Sequence, residues 1–531
     1  MNGSVKGQCP RLGLATAALC VLGLWAPIDS AVASNEVLTI EHVTIVSPER
    51  NEPRRDATVA IRDGRIASIS GSSSVSRESA APSHEIVIDG RDLYLAPGLV
   101  DSHVHLGQIP GMNDEQVAHH PDLAHALREQ MPRSFLLYGF TTLIDLISTP
   151  EAMAAWKAHQ VVPDTYFCGG AALLDGYPMA WAPKPERYRG WPYMLVEPGT
   201  EPPAGIDPVR QTPAAVVARM KADGAICAKA FYERGFGTAR NLPVPKLETI
   251  RELVRSAHAA GLPVLLHATS SEAQAFGLEA GVDILAHGLF KWNEPAPGTE
   301  LTPAVKKILD GVVARNVGWQ PTIQVLYGIQ DLFNPSFLSN PLLGRVLPPQ
   351  LIEWYRSPEG QWFHDELLKD PEIKDAHAFE AQTALAFNRV KRATGYLVAH
   401  GANVLFGTDT PSAAWSYANP PGLNAWFEMK NLIDAGLTPT QIFRAATLSN
   451  AQALHLDRDI GTVEVGKRAN LLLLRQDPTK TIDAYADIVN VILGGRVLDP
   501  VQLAANHSGS ADRTQPSEVP GRDSARYQLA R

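Results

Sequence analysis

The chain has 531 residues, 45% of them hydrophobic and 19% charged, with 41 Gly, 41 Pro and a formal net charge of −9. This is an ordinary globular composition, long enough for one large domain plus a smaller one. The acidic balance provides no basic face, so nucleic acid is excluded as an expected partner.

The first 33 residues read as an export signal. Lys6 and Arg11 lead into the apolar run "LGLATAALCVLGLWAPI", and Ala31-Val32-Ala33 supplies the small-residue pattern for cleavage after Ala33. The alternative is an uncleaved membrane anchor, but the run is short for a span and contains Pro27. Leu19 precedes Cys20 where a lipoprotein signal wants a small residue. The expected address is therefore exported, periplasmic or secreted, with no stable membrane span after cleavage. Cleavage removes Cys9 and Cys20. Cys168 and Cys227 lie in apolar runs, so core thiols and no disulfide framework are expected.

Residues 34–97 read as short alternating strands: "VLTIEHVTIVS", "ATVAIRDGRIASIS" and "HEIVIDG", with "RDGR" as a hairpin turn. Residues 456–502 have the same texture in "GTVEVGKRANLLLLR" and "VNVILGGRVLD". Neither piece is large enough to stand alone, which predicts a small β-sandwich assembled from both ends of the chain.

Between them, 98–455, strands alternate with helices. "GLVDSHVH" (98–105), "FTTLIDL" (140–146), "TYFCGG" (165–170), "ICAKAF" (226–231), "PVLLHA" (263–268), "DILAHG" (283–288), "GWQPTI" (318–323) and "NVLFGTD" (403–409) read as eight buried strands. In "KLETIRELVRSAHAAG", Leu247, Ile250, Leu253, Val254 and Ala257 share one helical face, and Gly261 is a stop signal. Eight such repeats predict an α/β fold of the (β/α)8 TIM-barrel class. Two insertions, about 172–212 and 324–376, follow barrel strands and read as substrate-pocket walls or lids. The tail from 503 has almost no large apolar residues and is expected to be disordered.

Polar residues cluster at the strand ends. His103 and His105 end the first predicted strand, two apart and so on one face. Lys229 ends the fourth, His267 the fifth, His287 the sixth and Asp409 the eighth. In a barrel these ends converge, and polar groups there are costly without partners. Each has a plainer alternative: satisfied core histidines, a capping aspartate, a salt-bridged rim lysine. His119, His120, His364, His377 and His400 read as surface or helix residues, and His258 and His455 as helix packing residues.

The pattern resembles the amidohydrolase superfamily over almost the whole mature chain. "APGLVDSHVHL", "GFTTLIDL", "GLPVLLHA", "GVDILAHG", "VLFGTDTP" and "GTVEVGKRANLLLL" are similar to the family's successive signatures, with Asn470 where it usually has Asp. The set with Lys229 resembles the binuclear branch of prolidase-type and imidazolonepropionase-like enzymes. The resemblance implies two divalent ions, most naturally Zn2+. His103, His105 and Asp409 would hold one and His267 and His287 the other, with carboxylated Lys229 bridging both. It implies hydrolysis of a carbonyl–nitrogen bond in a dipeptide or N-acyl amino acid by a hydroxide bridging the ions, with Asp409 as general base and acid. Tyr232 and Arg234, in "KAFYERG", are candidate substrate contacts or plain surface residues. The expected partner is a small-molecule substrate, and oligomeric state is unreadable. Three alternatives stay open: a cyclic amide, lactone or ester substrate on the same site; a mononuclear deaminase; and an exported binding protein on an inactive fold.

Overall fold

The computed structural model describes residues 37–71, 85–182, 184, 186–236, 239–293, 298–369, 375–411 and 415–507. The expected export signal lies outside the described residues. No helix among them is long and apolar enough to cross a membrane.

Seven strands form one parallel sheet in chain order: Leu99–Val104, Phe140–Asp145, Asp164–Ala171, Cys227–Phe231, Val264–His267, Ile284–Ala286 and Gly318–Gln320. They are buried almost throughout, as parallel strands covered on both faces must be. Helices return the chain between them. Leu247–Ala259 buries Ile250, Leu253, Val254 and Ala257, the face its apolar spacing predicts, and Gly261 follows at φ +72°.

The expected eighth strand is not a regular strand. Residues 403–410 instead bond to both edges of the sheet. Ser102 N donates to Phe406 O and Asp409 N to His103 O on one side. Trp319 N donates to Asn403 O and Leu405 N to Trp319 O on the other. The Asn450 side chain substitutes for missing ladder bonds, with Nδ2 donating to Val100 O (2.8 Å) and Phe406 O (2.7 Å). One buried cluster takes Val100, Ile144, Cys168, Cys227, Leu265 and Ile284 from the first six strands and Leu405 from this segment.

The two ends of the chain pair as expected, and their described strands are hydrogen-bonded into one eight-stranded sheet. Strand Tyr94–Pro97 causes this: it pairs with Val37–Ile45 on one side and Leu471–Leu474 on the other. Leu471 and Leu473 face this sheet's own core, and Leu472 and Leu474 face the main core, the period-2 pattern of a strand between two apolar masses. "RDGR" is a two-residue hairpin turn, with Asp63 and Gly64 both at positive φ.

Two further expectations are corrected. Cys168 and Cys227 are fully buried but are not free thiols; they form a disulfide. The third and fourth strands set them directly opposite, with Cα atoms 4.5 Å apart, and that register was not visible in either apolar run alone. Of the tail expected to be disordered from 503, residues 508–531 lie outside the described residues, and 503–507 are tied to the core. Leu503 and Ala504 are buried, Gln130 Nε2 donates to Leu503 O (2.9 Å), and Ala505 N donates to Arg345 O (2.8 Å).

A histidine–aspartate cluster at the carboxyl ends of the strands

Strand parity decides which side chains reach the site. Cys227 and Leu265 point into the inner cluster, so Lys229 and His267, two residues on, point the same way. Leu405 does the same for Asp409 in the irregular segment. His287 (φ 75°), Thr322 (φ 46°) and Asp409 (φ 58°) all adopt left-handed backbone at the strand ends. Such backbone is unfavourable for non-glycine residues and marks places where side-chain direction outweighs local comfort.

His103, His105 and Asp409 form a compact group whose ligand atoms all lie within 4.8 Å of one another. Asp409 Oδ1 is 3.1 Å from His103 Nε2 and 2.9 Å from His105 Nε2. Its other oxygen faces His287 Nδ1 at 3.9 Å. The His287 ring lies 4.9 Å from that of His103 and 4.4 Å from that of His267. Lys229 is 1% exposed, and its charge bears on His103, His267 and His287. The structure thus gathers the four histidines and Asp409, with Lys229 buried on the neighbouring strand and facing the same interior.

Their protonation suits electron-pair donation. Burial, with Lys229 nearby, lowers the His103 imidazole to about 3. Burial also lowers His267 and His287. Burial lowers Lys229 to about 7, against the opposing pull of Asp409. Burial pushes the Asp409 carboxyl up, but His103, His105 and His287 outweigh it and hold it well below the usual carboxylate range.

Neighbours orient the ligands. Gln320 Nε2 donates to Ser102 Oγ (2.7 Å), which turns its Oε1 toward His103 Nδ1 at 3.2 Å. His103 therefore carries its proton on Nδ1 and turns the Nε2 lone pair inward. Asp101 accepts from the His103 and Thr408 backbone N–H groups (both 3.1 Å) and fastens the first strand to segment 403–410. Asp145 accepts from Leu106 N and Ile147 N (both 3.0 Å) and fixes the turn after His105.

Three buried polar atoms in the cluster have no hydrogen-bond partner among the described residues: His103 Nε2, His267 Nε2 and Lys229 Nζ. Buried orphans of this kind are rare. Neutral imidazoles, an ionised carboxylate and a deprotonatable amine fit divalent metal ions well.

Tyr232 and Arg234 are not brought to the cluster. Tyr232 has the opposite parity to Lys229, and its OH donates to Glu272 Oε1 (2.7 Å) on helix Ser271–Ala280. Arg234 pairs with the same carboxylate at 2.8 Å. His258 and His455 are exposed rather than packed, His258 being paired with Asp283 at 2.8 Å. The sequence reading missed Glu233 and Tyr177. Glu233 is buried beside His267 Nε2 (3.6 Å), accepts from Thr269 Oγ1 (2.5 Å), and is held down to about 2 by His267 and Lys291 against the opposing effect of burial. The Tyr177 ring lies 4.6 Å from that of His267.

A parallel α/β sheet with such a donor cluster at the carboxyl ends of its strands defines a metal-dependent hydrolase class. Residues 94–292 and 382–498 match the model of the amidohydrolase family, more than half of the chain, and the chain belongs to that family. It is accordingly an enzyme, a metal-dependent hydrolase acting on carbon–nitrogen bonds. A 153-residue stretch is 33% identical to a 5-methylthioadenosine/S-adenosylhomocysteine deaminase of Moorella thermoacetica, covering 25% of this chain and 34% of that protein. The chain thus matches about a third of that relative's length. Among solved structures, a Xaa-Pro dipeptidase with bound methionine aligns over 87% of this chain and 100% of its own, at TM-score 0.59 and 19% identity. A. niger ochratoxinase aligns over 89% and 98%, at TM-score 0.60 and 18% identity. At these identities the likeness concerns the fold.

Proposed function

We propose that this chain is an exported hydrolase that cleaves the carbonyl–nitrogen bond of a dipeptide or N-acyl amino acid at a pair of divalent ions, Zn2+ by the chemistry of the ligands. The carrying observation is the set of three orphaned buried atoms on His103, His267 and Lys229, with His103 Nε2 3.1 Å from Asp409 and His267 joined to His103 through the His287 ring. His103, His105 and Asp409 would hold one ion, and His267 and His287 the other. Lys229, neutral in part near pH 7, would add CO2 at Nζ with loss of one proton and offer two carbamate oxygens to both. When bound, the ions supply a lowered pKa for water and polarise the substrate carbonyl.

The chain's own residues do the rest. Asp409 is ionised, and its Oδ2, which faces His287, takes the proton of the attacking water and passes it to the leaving nitrogen. Gln320 keeps the His103 tautomer fixed while this happens. The buried Cys168–Cys227 disulfide supports an exported address, because disulfides persist in oxidising compartments. The bonds of residues 403–410 to both sheet edges support a closed (β/α)8 barrel over 98–455, flanked by 34–97 and 456–502. The dipeptidase among similar structures supports the substrate class. A mononuclear deaminase, suggested by the Moorella thermoacetica relative, leaves Lys229 without a role.

Asp409→Asn is expected to abolish turnover of dipeptides and N-acyl amino acids, while metal analysis still finds nearly the wild-type content. Near-normal turnover rejects the role of Asp409. Fewer than one tightly bound ion per wild-type chain rejects the metal centre, and activity confined to lactones and esters overturns the substrate class.

A further inference from the structure

The two long insertions meet through aromatic rings. Trp181 closes the short turn Met179–Trp181, in the insertion after the third strand. Phe363 lies on helix Trp362–Leu367, in the insertion after the seventh. Trp415 stands between them, six residues beyond Asp409, with its ring 5.2 Å from that of Trp181 and 5.8 Å from that of Phe363. Trp181 is 39% exposed. With Trp415 and Phe363 it forms a contiguous aromatic patch rather than a lone exposed side chain.

The roots of this wall are fixed at the cluster. Tyr177, four residues before Trp181, lies against His267. Arg187 fastens that loop by donating to Asp175 Oδ1 (2.8 Å), Ala180 O (2.9 Å) and Ala182 O (2.8 Å). On the other side, Trp362 Nε1 donates to Gly111 O (2.8 Å) and Tyr355 OH to Pro110 O (2.5 Å), which binds the second insertion to the loop that follows His105. Around the mouth, Arg187 and Lys184 share Asp175 (2.8 and 3.4 Å), Arg234 pairs with Glu272 (2.8 Å) and Lys291 with Glu233 (3.4 Å). Trp181, Trp415 and Phe363 add adjoining aromatic surface to these paired charges.

We propose that Trp181 and Trp415, backed by Phe363, form a specificity wall that takes an aromatic ring carried next to the scissile carbon–nitrogen bond. The inference rests on the hydrolase reading above and narrows its substrate class. A stacked ring gains from burial and from aromatic geometry, while a methyl group in the same place gains little.

The test is calorimetric binding to the metal-loaded Asp409→Asn full-length protein, in which substrate is not consumed. N-benzoyl-L-alanine and N-acetyl-L-phenylalanine place a ring on either side of the bond, and N-acetyl-L-alanine carries none. At least one aromatic ligand is expected to bind roughly ten-fold or more tightly than N-acetyl-L-alanine. Trp181→Ala and Trp415→Ala should each erase most of that preference, and Trp181→Phe should retain it. If Trp415→Ala does not fold, the Trp181 pair decides, because that side chain is partly exposed. Equal affinity for all three ligands, no binding of either aromatic ligand, or a preference that survives Trp181→Ala overturns the inference. Turnover by the wild-type chain is scored separately. Turnover without an aromatic preference sinks this inference and leaves the hydrolase, whereas aromatic binding without any turnover sinks the hydrolase reading.

Discussion

Asn470 answers two neighbours that make opposite demands. Its Nδ2 donates to Asp164 Oδ2 (2.8 Å), and its Oδ1 accepts from Gly494 N (2.8 Å). An aspartate could accept from Gly494 but would set a second carboxylate against Asp164, which Arg468 already pairs at 2.9 Å. The departure from the family's usual Asp is thus matched by Asp164. Asn470→Asp is expected to destabilise the protein by about 1–3 kcal/mol through the lost bond and the like-charge contact, read from denaturant unfolding at pH 7. Metal content should not change, because Asp164 begins the third strand and the cluster lies at the other end. Unchanged stability would show that the 2.8 Å contact contributes nothing. At this scale, the six strand-end residues were legible because a polar side chain that ends an apolar run is costly to bury and needs a partner there. Strand parity sets Tyr232 apart from the cluster: Lys229, Phe231 and Glu233 share the inward face, and Tyr232 does not. The same rule would have found Glu233. Gln320 ends the seventh strand where His267 ends the fifth, and it was passed over because an amide is not a metal-ligand type.

Elements were legible where pattern is local and obscure where it depends on a neighbour. The seven parallel strands, the helix Leu247–Ala259 and the "RDGR" hairpin follow from period and turn chemistry. The irregular course of residues 403–410 does not, since it depends on Asp101 and Asn450 offering side-chain bonds in place of a ladder. The single sheet shared by both chain ends depends likewise on the long-range pairing of Tyr94–Pro97 with Leu471–Leu474. The disulfide is the sharpest case, because it exists only through the register of the third and fourth strands. It closes a sequence separation of 59 residues beneath Lys229. Replacing both cysteines by alanine is expected to cost about 4 kcal/mol, on the loop-closure model. The check is the urea midpoint of the chain from Ser34 onward, compared with the double variant. Thiol titration of the same unfolded, unreduced chain should find none, and two reactive thiols would reject the bridge.

Across the whole molecule, buried titratable groups set how stability responds to pH, and the buried carboxyls make it fall as pH rises. Glu428 is 1% exposed and accepts from Ile323 N (3.0 Å) and Gln324 N (2.7 Å), yet burial raises it to about 8. Burial likewise raises Asp101 to about 7 and Asp145 to about 6. In each, the folded chain holds its proton more tightly than the unfolded chain does. Between the unfolded values near 4 and the folded values, the native state therefore binds more protons, and unfolding free energy falls as pH rises. The contribution is fully present below about pH 4 and is lost through pH 6–8. Glu233, held down to about 2, works in the opposite sense but has finished titrating below pH 5, so it adds no slope above that. Glu428→Gln isolates one member of the set: the amide oxygen can keep one backbone partner, at a cost of about 1 kcal/mol that does not vary with pH. His103, His267, His287 and Lys229, all lowered by burial, push stability the other way over part of this interval, so the reading is the difference between the two proteins: in urea unfolding of metal-free protein at pH 5.5 and pH 8, the wild type should lose a few kcal/mol relative to the variant. Each group contributes on the order of 1.4 kcal/mol for every pH unit over which it is protonated in the folded chain and ionised in the unfolded one. The two proteins should therefore differ most at pH 5.5 and converge or cross at pH 8. Chelation matters in this measurement, because metal binding carries its own pH dependence through the histidines. Parallel stability curves for wild type and variant would mean that Glu428 is ionised in the native protein across the whole range, and that its two backbone donors outweigh its burial.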